Sequence, residues 1–393
     1  MAERAALYRR RQFIGLTVGG VAAVSLGAVF WKGVLDDDGR PRREGHGYGP
    51  LRPPDENGVR LPEGFRSRVI ARGERQVPGT GYRWHTASDG AATFPTSDGG
   101  WILVSNSEEL QGGASAIRFD SRGRIRDAYS ILEGTTQNCS GGGTPWGTWL
   151  SCEEVEGGYV WECDPAGRRP ARRRPSMGAF KHEAAAVDPR GRRVYLTEDL
   201  KDGLLYRFTP ERWPSLDAGL LEAATVAADG SVSWTKVPAP SARSRATRDQ
   251  LPDATRFKRG EGIWYDDGTL YVATTVDSRV HAYDIRHGRV EVIYDGLASA
   301  DAPLLRVDQL TGSRAGELFV CEDIATEEID IGLIDRSGAV SRFLSATGRK
   351  HEGSELTGAA FAPSGRRLYF SSQRARRTGV IYEVTGPFRG AVG

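Results

Sequence analysis

Short apolar runs that end in polar or acidic residues recur along the chain. They are ILVSNS (102–107), WLSCEE (149–154), VYLTED (194–199), LYVATT (270–275), LFVCED (318–323) and LYFSSQ (368–373). Their fifth residues, Asn106, Glu153, Glu198, Thr274, Glu322 and Ser372, are spaced by 47, 45, 76, 48 and 50 residues. Four of these five steps share one period, and the long one carries an insertion around Trp213 to Arg248. Each run is preceded by a partner run across a glycine-containing turn. EAAAVDP (183–189) reaches VYLTED through Arg190-Gly191-Arg192, EGIWY (261–265) reaches TLYVATT through Asp266-Asp267-Gly268, and ELTGAAFAP (355–363) reaches RRLYFSSQ through Ser364-Gly365. Glycine supplies the positive φ that tight hairpin turns need. One hairpin per unit, at a period in the forties, predicts an all-β, six-bladed β-propeller, a ring without long exposed sheet edges.

The N-terminus follows a different pattern. Arg9, Arg10 and Arg11 precede Gln12, Phe13 and Ile14, and an apolar run extends from Ile14 to Trp31. A basic start followed by such a run is expected of a secretory signal or a short membrane anchor, and the Arg-Arg-x-Phe-Ile order is similar to a twin-arginine signal. The expected organisation is therefore a twin-arginine signal or anchor over 1–34, a linker over 35–60 and a propeller over 61–393. The twin-arginine machinery would export the folded protein, leaving it secreted or anchored on the outer face of the cytoplasmic membrane.

Composition narrows the function. The 53 Lys and Arg against 51 Asp and Glu leave a net charge of +2, without the basic excess expected of a nucleic-acid binder. The chain beyond residue 44 is almost neutral, with 45 basic and 46 acidic residues, so a local concentration of acid needs a reason. Four cysteines are too few to staple 393 residues, and the fold must rest on its own core. The chain is expected to act as a monomer.

Hairpin geometry supplies the reason. In an antiparallel hairpin the start of the first strand lies beside the end of the second. Glu183 starts one strand and Glu198–Asp199 end its partner; Cys139 stands in the same relation to Glu153–Glu154, Glu261 to Thr274, Asp308 to Glu322–Asp323 and Glu355 to Ser372. If these hairpins are the inner strands of blades, all these groups meet at one mouth of the channel, with Asn106 and Glu108 from the first unit. Crowded carboxylates raise one another's pKa unless cations compensate them. Calcium suits a set of oxygen donors, and a thiolate among them suggests a softer transition ion as well. The expected metal residues are Cys139, Glu153, Glu154, Glu183, Glu198, Asp199, Glu261, Asp308, Glu322, Asp323, Glu355 and Glu108. Lys181, His182, Lys258, Arg259 and Arg306 are basic groups beside them. Cys152 and Cys321 alternate to the opposite face and are expected to be buried, while Trp146 and Trp149 are expected to pack between blades.

The strings NCSGGGTPWGTWLSCEE (138–154), FKHEAAAVDPRGRRVYLTEDLKDGLLYRF (180–208), GELFVCED (316–323) and SELTGAAFAPSGRRLYFSSQ (354–373) resemble the PhoX-type alkaline phosphatases. The resemblance implies hydrolysis of phosphate monoesters at an iron and calcium site in the propeller mouth. It implies Cys139 as the iron-ligating thiolate, with Glu183 and Glu355 in the His-Glu and Glu-x-Thr-Gly strings as further metal carboxylates. Glu355, Lys181 and His182 are the expected catalytic residues. The chain departs from the family in three places. It reads Ser371-Ser372-Gln373-Arg374 where many members have His-Pro after the Gln, it has Glu352-Gly353 where an arginine often precedes the Glu-x-Thr-Gly string, and it reads APLLRVDQLT where an asparagine string is usual. Two other readings stand beside this one: a calcium-stabilised propeller that binds a ligand without catalysis, and a propeller hydrolase of another specificity, such as a lactonase.

Overall fold

The computed structural model describes residues 47–324 and 326–392, so the expected signal over 1–34 lies outside the described residues. The described chain forms six antiparallel sheets, each starting with a strand on the ring's inner side. The inner strands are Ser88–Pro95, Asn138–Gly143, His182–Asp188, Gly260–Asp266, Val307–Gly312 and Leu356–Phe361. Each pairs with one of the apolar runs recognised in the sequence: Trp101–Ser107, Trp149–Glu153, Arg193–Glu198, Thr269–Thr274, Leu318–Glu322 and Arg367–Ser372. The runs are buried on both faces, which explains why they read as continuous apolar stretches. Among the described residues helix is confined to three single 3₁₀ turns, and none of them is long and apolar enough to cross a membrane.

The insertion seen as the long step belongs to the third blade. It supplies a fifth, outermost strand, Val232–Lys236, and the loop beyond it. The ring is closed by its N-terminal segment. Arg66–Arg72 pairs with Val380–Thr385 as the outer strand of the sixth blade, and Val59–Arg60 pairs with Val340–Thr347 on the fifth. The far end of the stretch read as a linker is thus part of the propeller. Tyr48 enters an aromatic cluster there, its ring 5.1 Å from that of Phe65. Phe65 lies 4.9 Å from Phe388, and Phe319 lies 5.0 Å from Phe343. Cys152, Cys321 and Trp149 are buried, and Trp146 packs edge-on against Trp213 at 5.1 Å.

Each inner strand begins with an irregularity. The pairing register shifts between Ser88 and Ala91, Asn138 and Gly141, His182 and Ala185, Gly260 and Ile263, Val307 and Leu310, and Thr357 and Ala360. Each shift is a β-bulge, which bends the strand and re-aims a side chain. In four blades a residue in the left-handed region precedes it: Ala87, Gln137, Arg259 and Arg306.

Candidate metal centre

The bulges decide what faces the channel. In five blades the residue just after the first paired position of the inner strand is a potential ligand: Asp89, Cys139, Glu183, Glu261 and Asp308. The sixth blade offers Glu355, one residue ahead of its inner strand. The approach is tight. A Cβ on Gly90 would lie 2.5 Å from the Cα of Ser140, and one on Gly262 would lie 2.6 Å from the Cα of Gln309. Glycine after the acid lets neighbouring inner strands meet there.

Three groups of ligand atoms result, each with its atoms within 4.8 Å of one another. Cys139, Glu154 and Glu183 form the first, Glu183, Glu261 and Asp308 the second, and Asp89, Glu108 and Glu355 the third. Glu183 belongs to two of them. Together they line a cavity of about 110 Å³, with Arg259 in its wall. The Cys139 thiol donates to Glu183 Oε1 at 3.4 Å, while Glu183 Oε2 is buried without a hydrogen-bond partner among the described residues. Asp89 accepts from the side-chain amides of Gln309 and Gln373, and Gln373 also donates to Glu108 at 2.7 Å.

Burial is the main force on these groups. With Glu108 as the second contributor, it pushes the Asp89 carboxyl up to about 7. Burial and neighbouring acids also raise Glu154, Glu183, Glu261, Asp308 and Glu355. The Cys139 thiol is raised by burial and then by Asp89 and Glu183. A cation would reverse the sign for every one of them. The orphaned Glu183 oxygen and a donor set of carboxylates with one thiol fit metal ions well.

A basic rim surrounds the acids. Lys181 bridges Glu154 at 2.8 Å and Asp199 at 3.0 Å. Arg259 binds Asp199, Glu261 at 3.0 Å and Asp323 at 3.3 Å, and Arg306 binds Asp323 at 2.6 Å. Burial would raise Asp199, but the hydrogen bonds and charge of Arg259, with Lys181, hold it low. Arg374 reaches Glu108 at 3.0 Å. Lys258 is exposed.

Not every expected residue reaches this mouth. In each acidic pair the two side chains diverge, because neighbouring positions on a strand face opposite sides. Glu154, Asp199 and Asp323 go to the mouth, while Glu153, Glu198 and Glu322 turn into their own blades. Glu153 accepts from the backbone N–H of Tyr159 at 3.1 Å and of Thr136 at 3.3 Å. Glu198 accepts from Leu204 N at 3.1 Å and the Tyr206 hydroxyl at 2.9 Å, and it pairs with Arg248. Glu322 accepts from Leu305 N at 2.6 Å and Asp330 N at 3.0 Å. These three satisfy buried backbone donors and do not line the cavity. His182 also points away. Its ring stacks on Phe180 at 3.6 Å, its Nε2 meets Gly178 O at 3.2 Å, and burial pushes it down to about 3. It is a neutral core imidazole. Asp89, Gln309 and Gln373 escaped the sequence reading. Asp89 could have been found, since it stands 17 residues before Asn106 just as Glu355 stands 17 before Ser372.

Comparison with known proteins gives the same fold. The sequence model of the family described as alkaline phosphatase PhoX matches residues 109–295. Among solved structures, Pseudomonas fluorescens PhoX in complex with vanadate, a transition-state analogue, superposes with a TM-score of 0.69 at 16% identity, covering 86% of this chain and 98% of that one. A structural-genomics protein of unknown function from Bacteroides thetaiotaomicron gives 0.52 at 10% identity, covering 82% and 76%. A gluconolactonase from Xanthomonas campestris gives 0.49 at 14% identity, covering 86% and 98%. No curated protein matches the chain.

Proposed function

From the PhoX pattern carried by residues 109–295, we propose that this protein is an exported, metal-dependent phosphatase that hydrolyses phosphate monoesters in the mouth of its propeller. The observation that supports this reading is the convergence of three ligand groups on one cavity with a guanidinium in its wall. Calcium suits the all-carboxylate groups, Glu183–Glu261–Asp308 and Asp89–Glu108–Glu355, and iron suits the group that contains Cys139. Bound there, the cations would neutralise phosphoryl oxygens and lower the pKa of a water.

The chain's own residues supply the rest. Arg259 is held in the cavity wall by Asp199, Glu261 and Asp323, where its positive charge would meet an incoming phosphoryl group. Charge placed in advance in a water-poor site is what a transferring phosphoryl group requires. Lys181 neutralises Glu154 and Asp199 and lowers the repulsion that a dianion would meet. Gln373 and Gln309 fix Asp89 from both sides. The thiol in the first group favours a phosphatase with a transition ion over a calcium-only binding scaffold. Hydrolysis of p-nitrophenyl phosphate by purified protein tests the reading. Turnover should fall at least a hundredfold after chelation and return only when iron and calcium are both restored. A fully metal-loaded protein that leaves the ester intact would overturn it.

A further inference from the structure

Antiparallel pairing sets the face opposite the metal mouth. Each inner strand starts at the mouth, so the turns from first to second strand and from third to fourth lie at the far end of the ring. Those turns are basic. Arg122, Arg124, Arg192, Arg286, Arg314 and Arg366 are exposed in them, on five of the six blades, and none forms an ion pair among the described residues. Of the exposed acids in the same turns, Asp98 pairs with Arg118 at 2.6 Å, Asp217 with Arg172 at 3.2 Å and Asp267 with Arg190 at 2.6 Å, which leaves Glu211. Less exposed acids close the turns themselves. Asp120 accepts from the backbone N–H of Arg122 and Arg124 at 2.9 Å, and Asp335 from that of Ser337 at 2.8 Å. The face therefore keeps a positive surplus in a chain that is almost neutral as a whole.

The described chain enters the fold on this same face. Gly47 O accepts from Arg389 at 2.7 Å, and the Tyr48 hydroxyl donates at 2.8 Å to Glu317, in the inner turn of the fifth blade. The apolar run Ile14–Trp31 ends 16 residues before Gly47, and a chain of that length spans at most about 55 Å. An anchor of the kind its sequence suggests would hold this face, and not the mouth, beside a membrane. We infer that the face opposite the mouth is a docking surface for an anionic phospholipid bilayer, which leaves the metal mouth turned outward to its substrate. Arginine's fork of donors suits the paired oxygens of a lipid phosphate. The six arginines are spread round the ring and not gathered in a groove, which suits a flat charged surface better than a nucleic-acid strand.

Co-sedimentation with vesicles tests this on residues 47–393, which contain all six blades, in their metal-loaded form. Vesicles of phosphatidylcholine with one third phosphatidylglycerol should bind this chain at least tenfold more tightly than vesicles of phosphatidylcholine alone. The gain should vanish as salt approaches 1 M, where the screening length falls to about 3 Å. Arg122→Gln/Arg124→Gln/Arg314→Gln/Arg366→Gln should lose at least fivefold in affinity for the anionic vesicles. Arg75→Gln/Arg83→Gln/Arg349→Gln/Arg377→Gln removes the same charge from exposed positions on loops of the mouth face and should shift that affinity by less than twofold. Both variants alter only exposed side chains and should keep the melting temperature of the unsubstituted chain. Equal binding of the unsubstituted chain to the two kinds of vesicle would overturn the inference, as would an equal loss in the two variants. Tighter binding to heparin than to the anionic vesicles would put a polysaccharide in place of the bilayer and overturn it as well.

Discussion

Two acids side by side on one strand do different work in this protein. Glu153 and Glu154 are both buried, yet Glu153 accepts two backbone N–H bonds inside its blade while Glu154 meets Lys181 at the mouth. Glu322 and Asp323 divide in the same way. Losing a charged acceptor strands buried donors at a cost of about 1–3 kcal/mol. Glu153→Gln should therefore lower stability by about that much in denaturant unfolding, while metal content by elemental analysis stays at the wild-type level. A variant that keeps its stability but loses metal would place Glu153 at the centre instead. The alternation behind this division is a property of any strand, and it could have been applied to the acidic pairs from the sequence. What the sequence hides is which member of each pair faces the channel, because both stand at the end of their strand and alternation alone does not set which one turns inward.

At the scale of the strand pair, the bulge and the glycine behind it are the working parts. Glu261 is turned inward because the register slips between Gly260 and Ile263, and Gly262 lets the neighbouring inner strand come within contact of its backbone. Gly262→Ala should push these strands apart, destabilise the fold by about 1–3 kcal/mol as overpacking does, and weaken metal retention during dialysis against a chelator. Unchanged retention with full stability would show that the close approach is not needed. The apolar runs and their hairpins were legible in the sequence, because period and turn chemistry both survive in the residue order. So was the convergence of Cys139, Glu183, Glu261, Asp308 and Glu355, because antiparallel pairing alone brings those strand ends together. Asp89 was missed because the run before the first hairpin, SDGAATFP, is weakly apolar. Gln309 and Gln373 were missed because an amide carries no metal signature until a carboxylate is seen beside it.

On the scale of the whole ring, the mouth stores repulsion that its cations would relieve. Asp89 is raised to about 7 by burial, and then by Glu108, from an ordinary value near 4. Glu183, Glu261, Asp308 and Glu355 move in the same direction. Between about pH 4 and pH 7 the folded metal-free protein holds protons that the unfolded chain has released. For Asp89 that stabilisation is complete below about pH 4 and is lost as pH rises through about 7, and the other four carboxyls act in the same direction. Metal-free protein should therefore melt at progressively lower temperature from pH 5 to pH 8. Metal-loaded protein should not, since cations displace the protons and bind more tightly as pH rises. A metal-free melting temperature that climbs over the same range would contradict this sign. The closing strand Arg66–Arg72 matters at this scale too, because it joins the two ends of the ring and holds the sixth blade, with Glu355, against the first.

The most direct measurement is the metal content of the purified protein, wild type against Glu183→Gln, by elemental analysis. Glu183 is the one side chain shared by two ligand groups. The wild type should hold iron and calcium together, at two or more ions per chain, and the variant should lose both kinds. A wild type that carries no tightly held metal, or a variant that keeps the full complement, would contradict it.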